Sequence, residues 1–308
     1  MKDDTEVYRK TGSGLTCSRP NFLLITADDL NWNTVGCYGY PVDGITPNLD
    51  RLAASGMRFA HGHVAIAVCQ PSRSAMMTGR HPHRSGGEGF HRLRHPGVPI
   101  LPGCLRVGGY RVGILGKVGH STPYAEFSWD MCHDMPELGF GRDPQTYHRH
   151  AATFMQEAVR AGQPFFLMAN SHDPHRPFFG NDNPEWYKDG DRPQAAVPSR
   201  IFTPDEVVVP GFLPDLPEVR LEMSEYCNSV RRCDDTVGRI LDALDASGAA
   251  DNTVVLFLSD NGMAFPFAKT NCYLHSTKTP WIMRWPGRIA AGSVDLRHFL
   301  SGIDILPT

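Results

Sequence analysis

Four short apolar runs stand out along the chain: Phe22-Leu23-Leu24-Ile25-Thr26, Val112-Gly113-Ile114-Leu115, Phe165-Phe166-Leu167-Met168 and Val254-Val255-Leu256-Phe257-Leu258. They are continuous rather than alternating, and too short for helices. That pattern predicts strands buried on both faces, as in a parallel sheet. Between them, Asn48 to Ser55, Ala151 to Ala161 and Leu221 to Ala246 carry helical spacing. The last has an apolar stripe at Val230, Val237, Ile240, Leu241 and Leu244. The expected fold is therefore α/β, with a central, mostly parallel sheet flanked by helices. Each apolar run passes directly into ionisable residues: Asp28-Asp29, Lys117 with His120, His172-Asp173 and Asp260-Asn261. In open α/β sheets the ligand site lies just beyond the carboxyl ends of the strands. Pro174 to Pro217, rich in Pro, Gly, Asn and Asp, reads as a long ordered loop over that site.

A second pattern lies outside the strands, in Cys69-Gln70-Pro71-Ser72-Arg73 followed by Ser74 to Arg80. Pro71 has a preset φ and no N–H, which suits the first turn of a helix. Ser72 to Thr78 can continue that helix and Gly79 can close it. Cys69 then stands at a helix N-terminus, where free N–H groups favour an anion, with Arg73 one turn further in. Asp28, Asp29, Asp260 and Asn261 together offer three carboxylates and an amide oxygen. Such a hard, oxygen-rich set suits Ca²⁺, with Mg²⁺ as the other hard candidate.

Composition narrows the field. Of 308 residues, 41% are hydrophobic and 20% charged, and the net charge is -3. This describes an ordinary globular chain with no overall basic footprint for nucleic acid. Preference for a polyanion would have to come from a local pocket. No apolar run approaches the roughly 20 residues of a membrane span. Met1 to Pro20 is polar without an apolar core, so no secretory signal is visible. The eight cysteines show no paired C-x-x-C zinc spacing.

The Cys69-x-Pro71-Ser72-Arg73 motif resembles the signature of the type I sulfatases, in which that cysteine is oxidised after translation to formylglycine. Ala27-Asp28-Asp29 and Ser259-Asp260-Asn261-Gly262 are similar in type and order to the metal site of that family. The resemblance implies an alkaline-phosphatase-like sandwich over 20–308, behind a polar extension at 1–19. A smaller C-terminal subdomain normally follows, so the chain looks like a catalytic domain truncated at Thr308. It also implies one Ca²⁺ on Asp28, Asp29, Asp260, Asn261 and the matured Cys69. A formylglycine-generating enzyme would be a partner during maturation. Members are usually exported or lysosomal.

Lys117 and His120 resemble the family's G-K-x-H element with one more residue between them, a spacing similar to that of iduronate-2-sulfatase-like members. His172, in Ser171-His172-Asp173-Pro174-His175-Arg176, resembles the third-strand histidine; His175 and Arg176 are weaker candidates that would order the loop. Phe265-Pro266-Phe267-Ala268-Lys269-Thr270-Asn271 lacks the E-G-G pattern of many O-sulfatases and resembles heparan N-sulfatase-like members instead. Lys269 would then be a basic sulfate ligand.

In the reaction so implied, the hydrated aldehyde at residue 69 attacks sulfur. Arg73, Lys117, Lys269 and the cation neutralise the sulfuryl oxygens, and His172 or His120 protonates the leaving group. The expected substrate is a sulfated sugar, with N-sulfoglucosamine favoured. Two rivals stay open on sequence alone: an O-sulfatase or phosphonate or phosphate monoester hydrolase, and a non-catalytic sulfated-glycan binding protein.

Overall fold

A computed structural model describes residues 19–181 and 196–308. The expected N-terminal extension (all but residue 19) and the middle of the expected 174–217 loop lie outside the described residues. The described parts of that loop contain neither helix nor strand until Pro217, where a long helix begins.

The sheet has eight strands: β1 (Asn21–Ala27), β2 (Met57–His63), β3 (Arg111–Leu115), β4 (Met131–His133), β5 (Phe165–Asn170), β6 (Thr253–Ser259), β7 (Trp281–Arg284) and β8 (Ser293–Ser301). Their order is β4-β3-β5-β1-β6-β7-β2-β8. β1 pairs in parallel with β5, Leu24 opposite Met168, and with β6, Leu24 opposite Leu256. β3 lies parallel to β5 and β4. Only β7 runs against its neighbours, β6 and β2. The four apolar runs of the sequence are the contiguous block β3-β5-β1-β6.

Eight α-helical segments surround the sheet: α1 (Pro47–Ala54), α2 (Cys69–Thr78), α3 (Pro82–Ser85), α4 (Leu101–Val107), α5 (Val118–Ser121), α6 (Pro144–Arg160), α7 (Pro217–Ala246) and α8 (Leu274–Thr277). α6 starts where Asp143 accepts the Gln145 backbone N–H at 2.9 Å, with Pro144 at the first position. Its buried Tyr147, Ala151, Phe154, Met155 and Ala158 form one stripe, at i, i+4, i+7, i+8 and i+11. α6 and α7 pack with Leu23, Ile25, Phe165 and Leu167 on one face of the sheet. Alternate residues Leu24, Val112, Ile114, Phe166 and Met168 meet Met76 and Met77 of α2 on the other. The period-2 alternation of a strand explains this division. Each such side chain, fully buried, contributes about 1.5–3 kcal/mol.

α1 is tied to this layer by a side chain from α7. Buried Asp234 accepts the backbone N–H groups of Asn48 at 3.0 Å and Leu49 at 2.8 Å, doing the work of an N-cap from another element.

Candidate active site

Because β3, β5, β1 and β6 are adjacent and parallel, their carboxyl ends bring Lys117, the 172–176 loop, Asp28-Asp29 and Asp260-Asn261 to one edge. α2 aims its first residue at the same edge. Val68 is extended, the helix begins at Cys69, and Gly79 (φ 61°) closes it by donating to Ala75 O at 2.9 Å. Pro71 therefore sits in the first turn, as its chemistry predicts. Two turns at the edge leave no room for a Cβ. One on Gly116 (φ 70°) would lie 2.4 Å from Asn170 O, and one on Gly262 1.7 Å from His275 O.

Asp28, Asp29 and Asp260 are fully buried, and ligand oxygens of all three lie within 4.8 Å of one another. Asn261 Nδ2 donates to Asp29 Oδ1 at 2.6 Å, whereas its Oδ1 is buried with no hydrogen-bond partner among the described residues. An orphaned amide oxygen beside three crowded carboxylates fits a hard divalent cation. Cys69 Sγ lies 3.4 Å from Asp28 Oδ1 and 3.9 Å from Asp29 Oδ1, at the rim of the same cluster.

Positive charge balances the cluster. Lys117, held at positive φ (50°), forms an ion pair with Asp28. Lys269 Nζ donates to Asp29 Oδ2 at 2.8 Å; backbone bonds from Lys269 to Met263 O (3.0 Å) and from Thr270 to Ala67 O (2.8 Å) fix its position. Burial opposes the charge of Asp28, but Lys117, His175, Arg73 and Lys269 outweigh it and hold the carboxyl well below its usual range. Asp260 is pushed the other way, chiefly by burial and then by Asp28 and Asp29. Burial and the same three carboxylates push the Cys69 thiol far up, so it stays protonated. Burial opposes the charge of Lys269, but the carboxylates of Asp29, Asp28 and Asp260 outweigh it and hold the group above its ordinary value.

Arg73 has a different place from the one expected. It is fully buried, and its N–H groups are directed at the protein itself. Nε donates to Asp260 Oδ2 at 2.9 Å, Nη1 to Thr26 Oγ1 and Asn170 Oδ1 at 2.8 and 2.7 Å, and Nη2 to Ala27 O at 3.4 Å. It locks the ends of β1 and β5 to the Asp260 carboxylate instead of facing a substrate.

His172 also differs from expectation. It is buried, its Nε2 accepts the Lys117 backbone N–H at 3.2 Å, and its ring packs on Gly141. Burial, then Lys117, hold its pKa well below the ordinary imidazole value, so the ring is neutral and spoken for. His120, half-buried, is lowered to about 4 by burial and then by Lys117 and Arg73. The histidine that faces the cluster is His175. Its Nε2 is 3.8 Å from Asp29 Oδ2, and it forms a potential ligand group with Asp28 and Cys69. The sequence ranked it lower because the motif is read from its first histidine, and a tight turn separates the two.

That turn is held from beneath. Buried Asp173 receives Arg142 Nε at 3.1 Å and Arg232 Nε at 2.6 Å, while Arg142 Nη2 donates to His175 O at 2.9 Å. Arg176 donates to Ala264 O and pairs with Glu222 at 2.5 Å, ordering the loop as expected.

Known proteins with this arrangement are informative. The sulfatase family model matches residues 20–308. The chain belongs to the sulfatase family. Human N-sulphoglucosamine sulphohydrolase is 31% identical over 96% of this chain and 61% of its own length. N-acetylgalactosamine-6-sulfatase of Canis lupus familiaris is 29% identical over 92% of this chain and 60% of its own. The sulfatase chain thus spans about three fifths of the length of these curated relatives. A structure titled as a complex with its substrate D-glucosamine-2-N,6-O-disulfate shares the fold, with a TM-score of 0.71. It is 20% identical, over 94% of this chain and 76% of that one. Sulfatases generally use a metal ion, and the carboxylate cluster at this edge is suited to one. No helix among the described residues is long and apolar enough to cross a membrane.

Proposed function

We propose that this chain is the catalytic part of a hydrolase that removes sulfate from a sulfated sugar, with N-sulfoglucosamine as the favoured substrate. The observation that supports it most is the meeting, at one sheet edge, of Cys69 at a helix start, an oxygen-rich acidic cluster and two ammonium groups. The preference for an N-sulfate follows the likeness to the human N-sulphoglucosamine sulphohydrolase and the Lys269-Thr270-Asn271 stretch.

Asp28, Asp29, Asp260 and Asn261 would hold Ca²⁺, which supplies charge neutralisation and activation of a nucleophile when bound. Cys69, inert as a thiol, would be matured to formylglycine, whose hydrated aldehyde supplies an oxygen nucleophile. The chain's own residues do the rest. Lys117 and Lys269 end beside the carboxylate cluster and would take the sulfuryl oxygens as partners, countering charge that grows in the transition state. Arg73 keeps Asp260 in place. His175, half-exposed above the cluster, would carry the proton to the departing atom. For a sulfamate that atom is nitrogen, which must be protonated before it leaves, so the acid matters more than for an activated ester.

The test is hydrolysis of N-sulfoglucosamine compared with 6-O-sulfated sugars and phenylphosphonate esters, together with the mass of the Cys69 peptide. Aldehyde at residue 69 and turnover of the N-sulfate, both lost in Cys69→Ala, are the expected results. Cleavage of O-sulfates with N-sulfoglucosamine left intact would move the substrate to the class named by the N-acetylgalactosamine-6-sulfatase relative. Active protein carrying only thiol would remove the proposed nucleophile.

A further inference from the structure

The chain is net negative, yet the stretch after α2 concentrates positive charge. Residues 79–98 carry Arg80, Arg84, Arg92 and Arg94 and four histidines against a single carboxylate, Glu88. All four arginines are exposed. Among the described residues, the side chains of Arg80, Arg84 and Arg94 enter no ion pair. Crowded like charges raise the free energy of the fold unless something anionic is there to meet them.

The stretch is folded into one surface. Arg94 N–H donates to Gly86 O at 3.1 Å, and His95 Nδ1 lies 3.2 Å from Arg84 O, which sets the two basic ends side by side. A recess of about 420 Å³ lies between Arg80, His81 and Arg84. One end of this strip reaches the candidate active site. Gln70, next to Cys69, donates to His91 O at 3.0 Å, and exposed Phe90 stands edge-on to His120 at 5.5 Å. The other end, Arg80, lies beyond the last residue of α2, about 15 Å from Cys69 along a ten-residue helix.

We propose that this strip is a docking surface for a sulfated oligosaccharide, holding the part of the chain beyond the sugar in the pocket. The proposal rests on the sulfate-hydrolysing reading, which supplies the reason for choosing a glycan among polyanions. A strip that runs up to a site flanked by the ammonium groups of Lys117 and Lys269 is matched by a chain that repeats sulfate groups from ring to ring. Guanidinium forks suit sulfate oxygens bidentately, and Phe90 offers an apolar face at the junction.

Calorimetric titration of the full chain with a heparin hexasaccharide, at low and at physiological salt, tests the surface. Arg80→Ser/Arg84→Ser/Arg94→Ser should bind roughly tenfold more weakly, each exposed contact being modest alone. It should also raise KM for the oligosaccharide while leaving turnover of a small aryl sulfate unchanged. Glu88→Gln should tighten binding. Undiminished affinity in the triple variant, or no binding by the unsubstituted chain, would overturn the proposal. Single-stranded DNA of equal charge bound as tightly, with the same dependence on the arginines, would overturn the choice of a glycan. If the chain hydrolyses no sulfate but the triple variant still loses hexasaccharide binding, the catalytic reading fails and the docking surface stands.

Discussion

His172 and His175 are three residues apart on one loop, but the first is buried under the Lys117 backbone and the second faces the carboxylates. Their substitutions should therefore separate. His175→Ala is expected to lower kcat on N-sulfoglucosamine by about 10²–10⁴-fold, and to cost far less on an aryl sulfate with a good leaving group. His172→Gln should lose activity in proportion on both substrates, through displacement of Lys117. Steady-state kinetics on the two substrates decides; equal losses for His175→Ala would argue against its acid role. His172 also leaves a mark on stability. Its pKa is depressed in the folded chain, chiefly by burial, and returns near 6.5 on unfolding. Below that pH the unfolded chain binds the extra proton at this position, so the contribution of His172 to stability falls as pH drops through about 6.5 and is nil above it. Denaturant unfolding of the unsubstituted chain and of His172→Gln should show the variant losing less stability, or gaining more, between pH 7.5 and pH 5.

Elements are joined at points a single side chain can release. Asp234 of α7 is the acceptor for two N–H groups at the start of α1, so Asp234→Ala leaves the buried Leu49 N–H and the half-buried Asn48 N–H without this partner. We expect a loss of about 1–3 kcal/mol in unfolding free energy, with kcat nearly unchanged. This contact was not legible in the sequence, because it joins residues nearly two hundred positions apart. The strands that hold the site were legible: β1, β3, β5 and β6 are buried on both faces, so their apolar runs are unbroken. β2, β4 and β8 were not, since Met57–His63 is half-buried, Met131–His133 is short and Ser293–Ser301 is largely exposed. The first two turns of α6 were missed for a related reason: Tyr147 is the one large apolar anchor in Pro144–His150. At the site, residue types were readable and orientation was not. Arg73 has the same letter whether it faces a sulfate or binds Asp260, and only the packing of α2 against β1 and β5 tells which.

At the scale of the molecule, the acidic cluster makes the fold dependent on its counter-charges. Three buried carboxylates repel one another, and a cation bound only by the folded state adds RT ln(1 + [L]/Kd), about 4 kcal/mol at a thousandfold excess over Kd. Chelation should lower Tm by several degrees, and Ca²⁺ should restore it better than Zn²⁺, because Asp28, Asp29, Asp260 and Asn261 offer oxygen alone. Stoichiometric zinc in the purified protein would contradict this. The burial of Cys69 has a consequence in time as well as in space. Its side chain is 2% exposed, and Arg73, one turn on, is clamped by Asp260, roughly 190 residues later in the chain. Until Asp260 is synthesised, nothing can close that clamp. At 5–20 residues per second, ribosomal synthesis leaves residue 69 open for on the order of 10 to 40 s. Under the proposed maturation, an enzyme that converts the thiol to an aldehyde would have to reach the chain before it folds. Added to the purified, folded protein it should leave the Cys69 peptide at its unmodified mass, whereas the same enzyme given a free peptide spanning Val68 to Thr78 should convert it. Translation speed across β3 to β6 would then help set what fraction of molecules ever becomes active.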